Sequence, residues 1–358
     1  MHPFLPIAAA VVCAALGATP PAPEPVTPEA APAARRVLAL LADLPGRERG
    51  RLVAGQFIGH PEYVDYEYRR NVVALHTATG RWPALLGADY GWLPRRLADH
   101  DLAGVNAILV KHARAGGLVT VSFHSRNPWT GGSAWDCSRV GELDELLDSA
   151  TAAGLAWQRQ LEGAAAGLEE LQRARVAVLW RPFHEMNGGW FWWTASQPRW
   201  PTPEAFARLW RHQFRYFTET RGLRHLLWVY SVSSDTAPAR RPVEHYYPGD
   251  DVVDIIGWDR YADDLVLPGY ELLAAKGKPV GLTEFGPGDT AAAAGSYDYR
   301  LLLAQVRSRY PRLCFFQAWC GGGRLDWSLA RHQRAAELLT DPWVLDRDAL
   351  AARPAAAP

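Results

Sequence analysis

Short apolar runs recur along the chain, and most of them end in a polar or charged residue. They close near Phe57 (LVAGQF), Asp89 (PALLGAD), His124 (GLVTVSFH), Glu185 (VAVLWRPFHE), Ser231 (LLWVYS), Tyr261 (VVDIIGWDRY), Glu284 (PVGLTE) and Trp319 (LCFFQAW). Most are rich in Val, Ile and Leu without strict alternation, the pattern of strands buried on both faces of a parallel sheet. Helical periodicity fills the intervals. Over 203–221, Phe206, Leu209, Trp210, Gln213, Phe214 and Phe217 mark one face. Thr202 is placed to cap that helix, Pro203 sits at its first position and Gly222 stops it. Segments 93–115 and 142–174 predict longer helical regions, the second broken near Gly154, and 297–310 and 329–340 close the chain. Alternation of eight strands with helices predicts an α/β fold, a (β/α)8 TIM barrel forming a single domain over 36–350. A doubly wound open sheet is the competing architecture. It would want a Gly-rich phosphate loop after an early strand, and GQFIGH at 55–60 does not supply one.

Composition adds to this picture at the ends and in the aromatics. Residues 4–18 are apolar with small residues towards the end, about the length of a signal-peptide core and too short to span a bilayer. We expect a signal peptide over 1–18 and a secreted protein, with release favoured over lipid anchoring at Cys13. The Pro/Ala-rich stretch 19–35 is expected to be a disordered tether, and 351–358 a disordered tail. Lys+Arg and Asp+Glu are equal at 38 each, so no charge field favours nucleic acid or an anionic membrane. Cys137, Cys314 and Cys320 can form at most one disulfide. Sixteen Trp is a high count, suited in part to stacking on flat, half-polar ligands such as sugars.

In a barrel the C-terminal strand ends converge on one site. Asp89, His124, Arg181, His184, Glu185, Tyr261 and Glu284 fall there, with Trp319 on the last strand. A carboxylate on the fourth strand and another on the seventh suit glycoside hydrolysis, in which one carboxyl donates a proton while the other stays ionised. Arg181 and Tyr261 are the candidates to hold Glu284 ionised, since a cation and a hydroxyl donor both favour the charged form. The aromatic run 190–193 beside Glu185 would keep it protonated.

The stretch RPFHEMNGGWFWW at 181–193 resembles the acid/base motif of glycoside hydrolase family 26, the β-mannanase family, and LTEFG around Glu284 resembles its nucleophile motif. Phe123-His124-Ser125-Arg126-Asn127-Pro128 is similar to the family's segment after strand three. Residues 254–261 are similar to the strand bearing its nucleophile-contacting tyrosine, and 341–345 to its closing segment. The resemblance covers roughly 50–350. It implies Glu185 as acid/base and Glu284 as nucleophile, with His184, Arg181 and Tyr261 as supports around the nucleophile. It also implies His124 as a sugar contact, Trp319 as the platform beneath the cleaved sugar and Trp190 as a stacking surface on the leaving-group side. Asp89 joins the substrate-binding candidates. Phe123 in place of Trp, and Thr194 where glycine is common, depart from the family pattern in the outer subsites.

The expected activity is that of a retaining endo-glycosidase acting on β-1,4-mannan, galactomannan or glucomannan, as a monomer, with no metal or organic cofactor. Mixed-linkage β-glucan or β-1,3-xylan are alternative substrates for the same mechanism. A metal-dependent hydrolase using His124, His184 and Asp89, and a non-catalytic carbohydrate-binding barrel, are the readings from other classes. The first is disfavoured because strand one carries no His-x-His pair.

Overall fold

A computed structural model describes residues 23–91, 102–196, 199–237 and 239–353. Eight strands run in chain order: β1 (Leu52–Phe57), β2 (Leu85–Asp89), β3 (Leu118–Phe123), β4 (Val178–Pro182), β5 (Leu226–Ser233), β6 (Ile255–Tyr261), β7 (Val280–Gly286) and β8 (Leu313–Ala318). Each is parallel to the next, and β8 closes on β1 with Val53 opposite Phe315. The result is the expected (β/α)8 barrel. Val344–Leu345 adds a short parallel strand along the first residues of β1, with Leu52 opposite Val344. Close approach is built in at the seam. A Cβ on Gly55 would lie 2.5 Å from the backbone oxygen of Phe316, so no larger residue fits without moving a strand.

The helical layer follows the apolar periodicity, with differences that have local causes. The 142–174 region is a short 3-10 turn, Leu143–Leu147, followed by a helix over Ala152–Arg173. The break falls before Gly154, because the Thr151 hydroxyl caps the helix by accepting from the Gly154 N–H. Gly154 lies inside the first turn, where a Cβ would meet the Asp148 carbonyl at 2.0 Å. The helix Pro203–Arg215 is capped by Thr202 as expected and ends in one wider turn, Tyr216–Thr220, before Gly222 at φ 63°. Of 93–115, Leu102–Arg114 is helical and 92–101 lies outside the described residues. Of 329–340, only Ala335–Thr340 forms an α-helix.

The expected tether needs correction. From Val26 on, the segment is bound to the barrel: the Val26 N–H donates to Asp254 Oδ1 at 2.8 Å, and Thr27 Oγ1 donates to the Leu226 carbonyl at 2.9 Å. The helix Pro32–Asp43 then lays Ala34, Leu38 and Leu41 against Val53, Leu85, Leu179, Leu227 and Phe315. These are early positions of their strands, so this helix floors the barrel at the end away from the strand C-termini. The Pro/Ala-rich composition suggested disorder, but a few backbone-directed hydrogen bonds and one apolar face are enough to hold it. At the other end, Arg347–Ala351 is helical and Arg353 donates to the Gly50 carbonyl, so order runs past 350. The expected signal segment and Cys13 lie outside the described residues, as do 354–358. Cys137, Cys314 and Cys320 are all free thiols. Among the described residues no helix is long and apolar enough to cross a membrane.

Candidate active site

The fourth strand stops at Pro182, and the backbone then makes an uncommon move. Phe183 (φ 49°) and Glu185 (φ 54°) both occupy the left-handed region, which non-glycine residues adopt at a cost. Tertiary bonds hold the turn in place. The Glu185 N–H donates to the Ser231 carbonyl at 2.8 Å, Asn187 Nδ2 donates to the Ser233 carbonyl at 2.9 Å, and the Ser233 N–H returns a bond to Asn187 Oδ1 at 2.8 Å. Phe183 anchors the turn within a cage of Trp157, Trp192, Trp193, Phe206 and Trp210. Trp192 and Trp193 are fully buried and serve this packing.

Glu185 keeps some surface open to the cavity, yet its carboxyl is enclosed. Trp190 Nε1–H donates to its Oε2 at 2.9 Å. Burial pushes its pKa well above the usual carboxylate value, and the negative charges of Asp259 and Glu284 push it further. The Trp190 bond and the Arg181 cation offset this only in part. The surroundings of Glu185 therefore favour the neutral carboxyl over the carboxylate.

Glu284, on β7, receives one donor on each oxygen. Arg181 Nη2 donates to Oε1, and the Tyr261 hydroxyl donates to Oε2 at 2.6 Å. Arg181 is shared: its Nη1 donates to Asp259 Oδ2 at 3.0 Å. Asp259 in turn accepts from Thr283 Oγ1 at 2.6 Å and Ser231 Oγ at 2.9 Å. Burial disfavours the Arg181 cation, but Glu284 and Asp259 more than offset that and raise its pKa. Burial, with Glu284 adding to it, pushes the Asp259 carboxyl up to about 7. A guanidinium removed from water between two carboxylates is secured by geometry and by bonds to the remaining lone pairs.

A second chain of bonds supports the opposite wall. Asp89 is fully buried. It accepts from the Gly91 N–H at 2.6 Å and the His124 N–H at 3.1 Å on Oδ1, and from Ser122 Oγ and His124 Nδ1 on Oδ2, the latter at 2.6 Å. Burial opposes its charge, but His124 and these donors win and bring its pKa down to about 2. His124 Nε2 and His184 Nε2 lie 3.0 Å apart, so a single proton is shared between those two nitrogens. Burial, then His124 and Arg181, keeps His184 neutral.

Glu185, Glu284, Tyr261, His124, His184 and Trp319 all line one cavity of about 290 Å³ at the C-terminal strand ends. Trp319 is backed by Phe57, stacked at 3.8 Å and 16°, and Trp135 stacks on His124 at 5.0 Å. Three expectations change. Asp89 is not a substrate contact, because its oxygens are consumed in holding His124. His184 is bonded to His124 rather than to Glu284, because the left-handed turn at Phe183 re-aims it. Trp190 stands behind Glu185, with the Arg240 guanidinium 4.7 Å over its ring. The sequence reading passed over Asp259, although it lies two residues before Tyr261 and hence on the same face of β6. It also passed over His60, Phe191, Cys320 and Trp327, which complete the cavity wall from loops.

Comparison with known proteins agrees with this arrangement. The profile of Glycosyl hydrolase family 26 matches residues 26–349. A mannan endo-1,4-beta-mannosidase of Bacillus subtilis (strain 168) is 35% identical over 331 residues, covering 90% of this chain and 88% of the relative. The mannan endo-1,4-beta-mannosidase A and B of Caldalkalibacillus mannanilyticus is 35% identical over 329 residues, 89% of this chain and 62% of the relative. Among solved structures, the Bacillus subtilis mannanase BCman superposes with a TM-score of 0.81 at 35% identity, covering 91% of this chain and 95% of that one. With the profile spanning nearly the whole barrel and both carboxylates in its cleft, the chain belongs to glycosyl hydrolase family 26 and is a glycoside hydrolase.

Proposed function

We propose that the chain is a retaining endo-β-1,4-mannanase acting on mannan, galactomannan or glucomannan. One observation carries the mechanism: two carboxyl groups share a cavity, one pushed towards its protonated form and the other met by a cation and a phenol. The substrate class rests on the relatives, which are mannan endo-1,4-beta-mannosidases.

In the first step Glu284 attacks the anomeric carbon while Glu185 gives its proton to the leaving glycosidic oxygen, and a glycosyl ester forms on Glu284. In the second, Glu185 takes a proton from water, which attacks the same carbon and frees the sugar with its original configuration. Arg181 and Tyr261 orient the nucleophile. Trp319 offers an aromatic face to the sugar, and the His124 ring, held by Asp89 on Nδ1 and by His184 on Nε2, walls the cleft beside it. The apolar segment 4–18 supports export, and we read the enzyme as a monomer released to the medium.

The test is product sizing and reducing-sugar release on mannan, galactomannan, glucomannan, mixed-linkage β-glucan and β-1,3-xylan, with the anomeric form of the first product read by proton NMR. Manno-oligosaccharides released first as the β-anomer support the proposal. Activity confined to β-glucan or xylan overturns the substrate, and an α-anomer overturns the mechanism.

A further inference from the structure

The cavity has a wall that the proposed hydrolysis does not use. His60 lies just past β1, Cys320 just past β8, and Glu67 on the short helix Val64–Tyr68 that follows β1. Because β1 and β8 are neighbours at the barrel seam, these residues converge. One ring nitrogen, one carboxylate oxygen and the sulfur all lie within 4.8 Å of one another. We infer that His60, Glu67 and Cys320 form a binding site for a zinc-class divalent cation, set in the wall of the cleft beside Trp319.

The donor set is the first reason. Imidazole, carboxylate and thiolate together suit a borderline-soft ion such as zinc and not magnesium or calcium. Geometry is the second. Tetrahedral zinc holds a nitrogen and an oxygen ligand about 3.4 Å apart. His60 Nδ1 and Glu67 Oε2 are 3.4 Å apart already. Drawing in the sulfur needs a movement of no more than about an ångström to reach zinc–sulfur bonding distance. The carboxylate is also pinned, because the His60 backbone N–H donates to Glu67 Oε2.

Charge and access complete the argument. When the ion binds, the Cys320 thiol releases its proton to water, a sulfur–metal bond forms, and thiolate plus carboxylate neutralise the dication. His60 and Cys320 both line the cavity, which supplies an entry path and leaves a fourth position for water. A bound ion beside Trp319 would add charge at the edge of the cleft, and we expect metal and substrate to compete.

The direct test is a cobalt(II) titration of the whole chain under reducing conditions. We expect a thiolate-to-cobalt absorption band in the near ultraviolet that saturates at one equivalent and is displaced by zinc. It should vanish in Cys320→Ser and persist in Cys137→Ser. No band in the wild-type protein, or a band that survives Cys320→Ser, overturns the site without reliance on any variant folding well. His60→Gln and Glu67→Gln should each weaken zinc at least about tenfold, and unchanged affinity in both would also overturn it. The activity arm alone rests on the mannanase reading: zinc should raise KM for mannan reversibly, with chelator restoring it. Full activity at zinc levels that saturate the cobalt site overturns the competition. An enzyme inactive on every polysaccharide would refute the functional reading, and the absorption band would still decide the metal site.

Discussion

Replacing Trp190 with Phe removes one hydrogen bond from the proposed acid and little else. The indole N–H donates to Glu185 Oε2 at 2.9 Å, while the aromatic face that meets the Arg240 guanidinium is kept. A donor favours the ionised carboxylate over the neutral acid, and here it opposes the upward push of burial, Asp259 and Glu284. Without it the acid form persists to higher pH. A hydrogen bond to a charged acceptor is worth about 1.5–3 kcal/mol, and about 1.4 kcal/mol is a factor of ten in an ionisation constant. Trp190 is only half-buried and water would partly replace it, so the lower end applies. The basic limb of kcat/KM against pH should therefore move upward by about one pH unit. The assay is the pH profile of kcat/KM on a manno-oligosaccharide, whose poor leaving group needs the proton. A basic limb that stays put or moves down in a folded Trp190→Phe protein would refute the assignment of Glu185 as the acid.

Further outcomes follow from the same geometry. Arg181→Met leaves Asp259 and Glu284 facing each other without their cation; it should cost about 3–5 kcal/mol in urea unfolding and abolish hydrolysis. Glu284→Ala should release no sugar from mannan, but on an activated aryl glycoside azide should restore turnover and leave an inverted glycosyl azide; rescue of Glu185→Ala with inversion instead would exchange the two roles. Asp89→Asn removes the charge that holds His124, and kcat/KM should fall at least about tenfold, the scale of one charged hydrogen bond. Gly55→Ala drives a methyl against the Phe316 backbone, and thermal denaturation should report about 1–3 kcal/mol lost with KM unchanged.

The barrel was legible because its strands are buried on both faces. Runs such as VAVLW and VVDIIGW are short and rich in branched residues, and the polar residue closing each run falls within three residues of its strand's C-terminus. Glu185, Glu284, Tyr261 and His124 could be placed in one site on that ground alone. What escaped depends on backbone detail or on partners distant in sequence. Nothing in the order Arg-Pro-Phe-His-Glu announces left-handed Phe183 and Glu185, so His184 was aimed at the wrong neighbour. Asp89 sits at a strand end like the others, and only its four donors show that it faces inward. The Pro/Ala-rich segment before residue 36 was misjudged on composition, since its hold on Leu226 and Asp254 lies some 200 residues away.

The shared charge balance around Arg181 gives the proposed reaction a clock. While Glu284 is ionised, its negative charge helps hold the proton on Glu185. Once Glu284 becomes a glycosyl ester that charge is gone, and Arg181 is left to Asp259 alone. The affinity of Glu185 for its proton then falls at the moment when it must act as a base, and recovers when water frees the carboxylate. The proton thus keeps time with the covalent bond, with no part of the chain required to move.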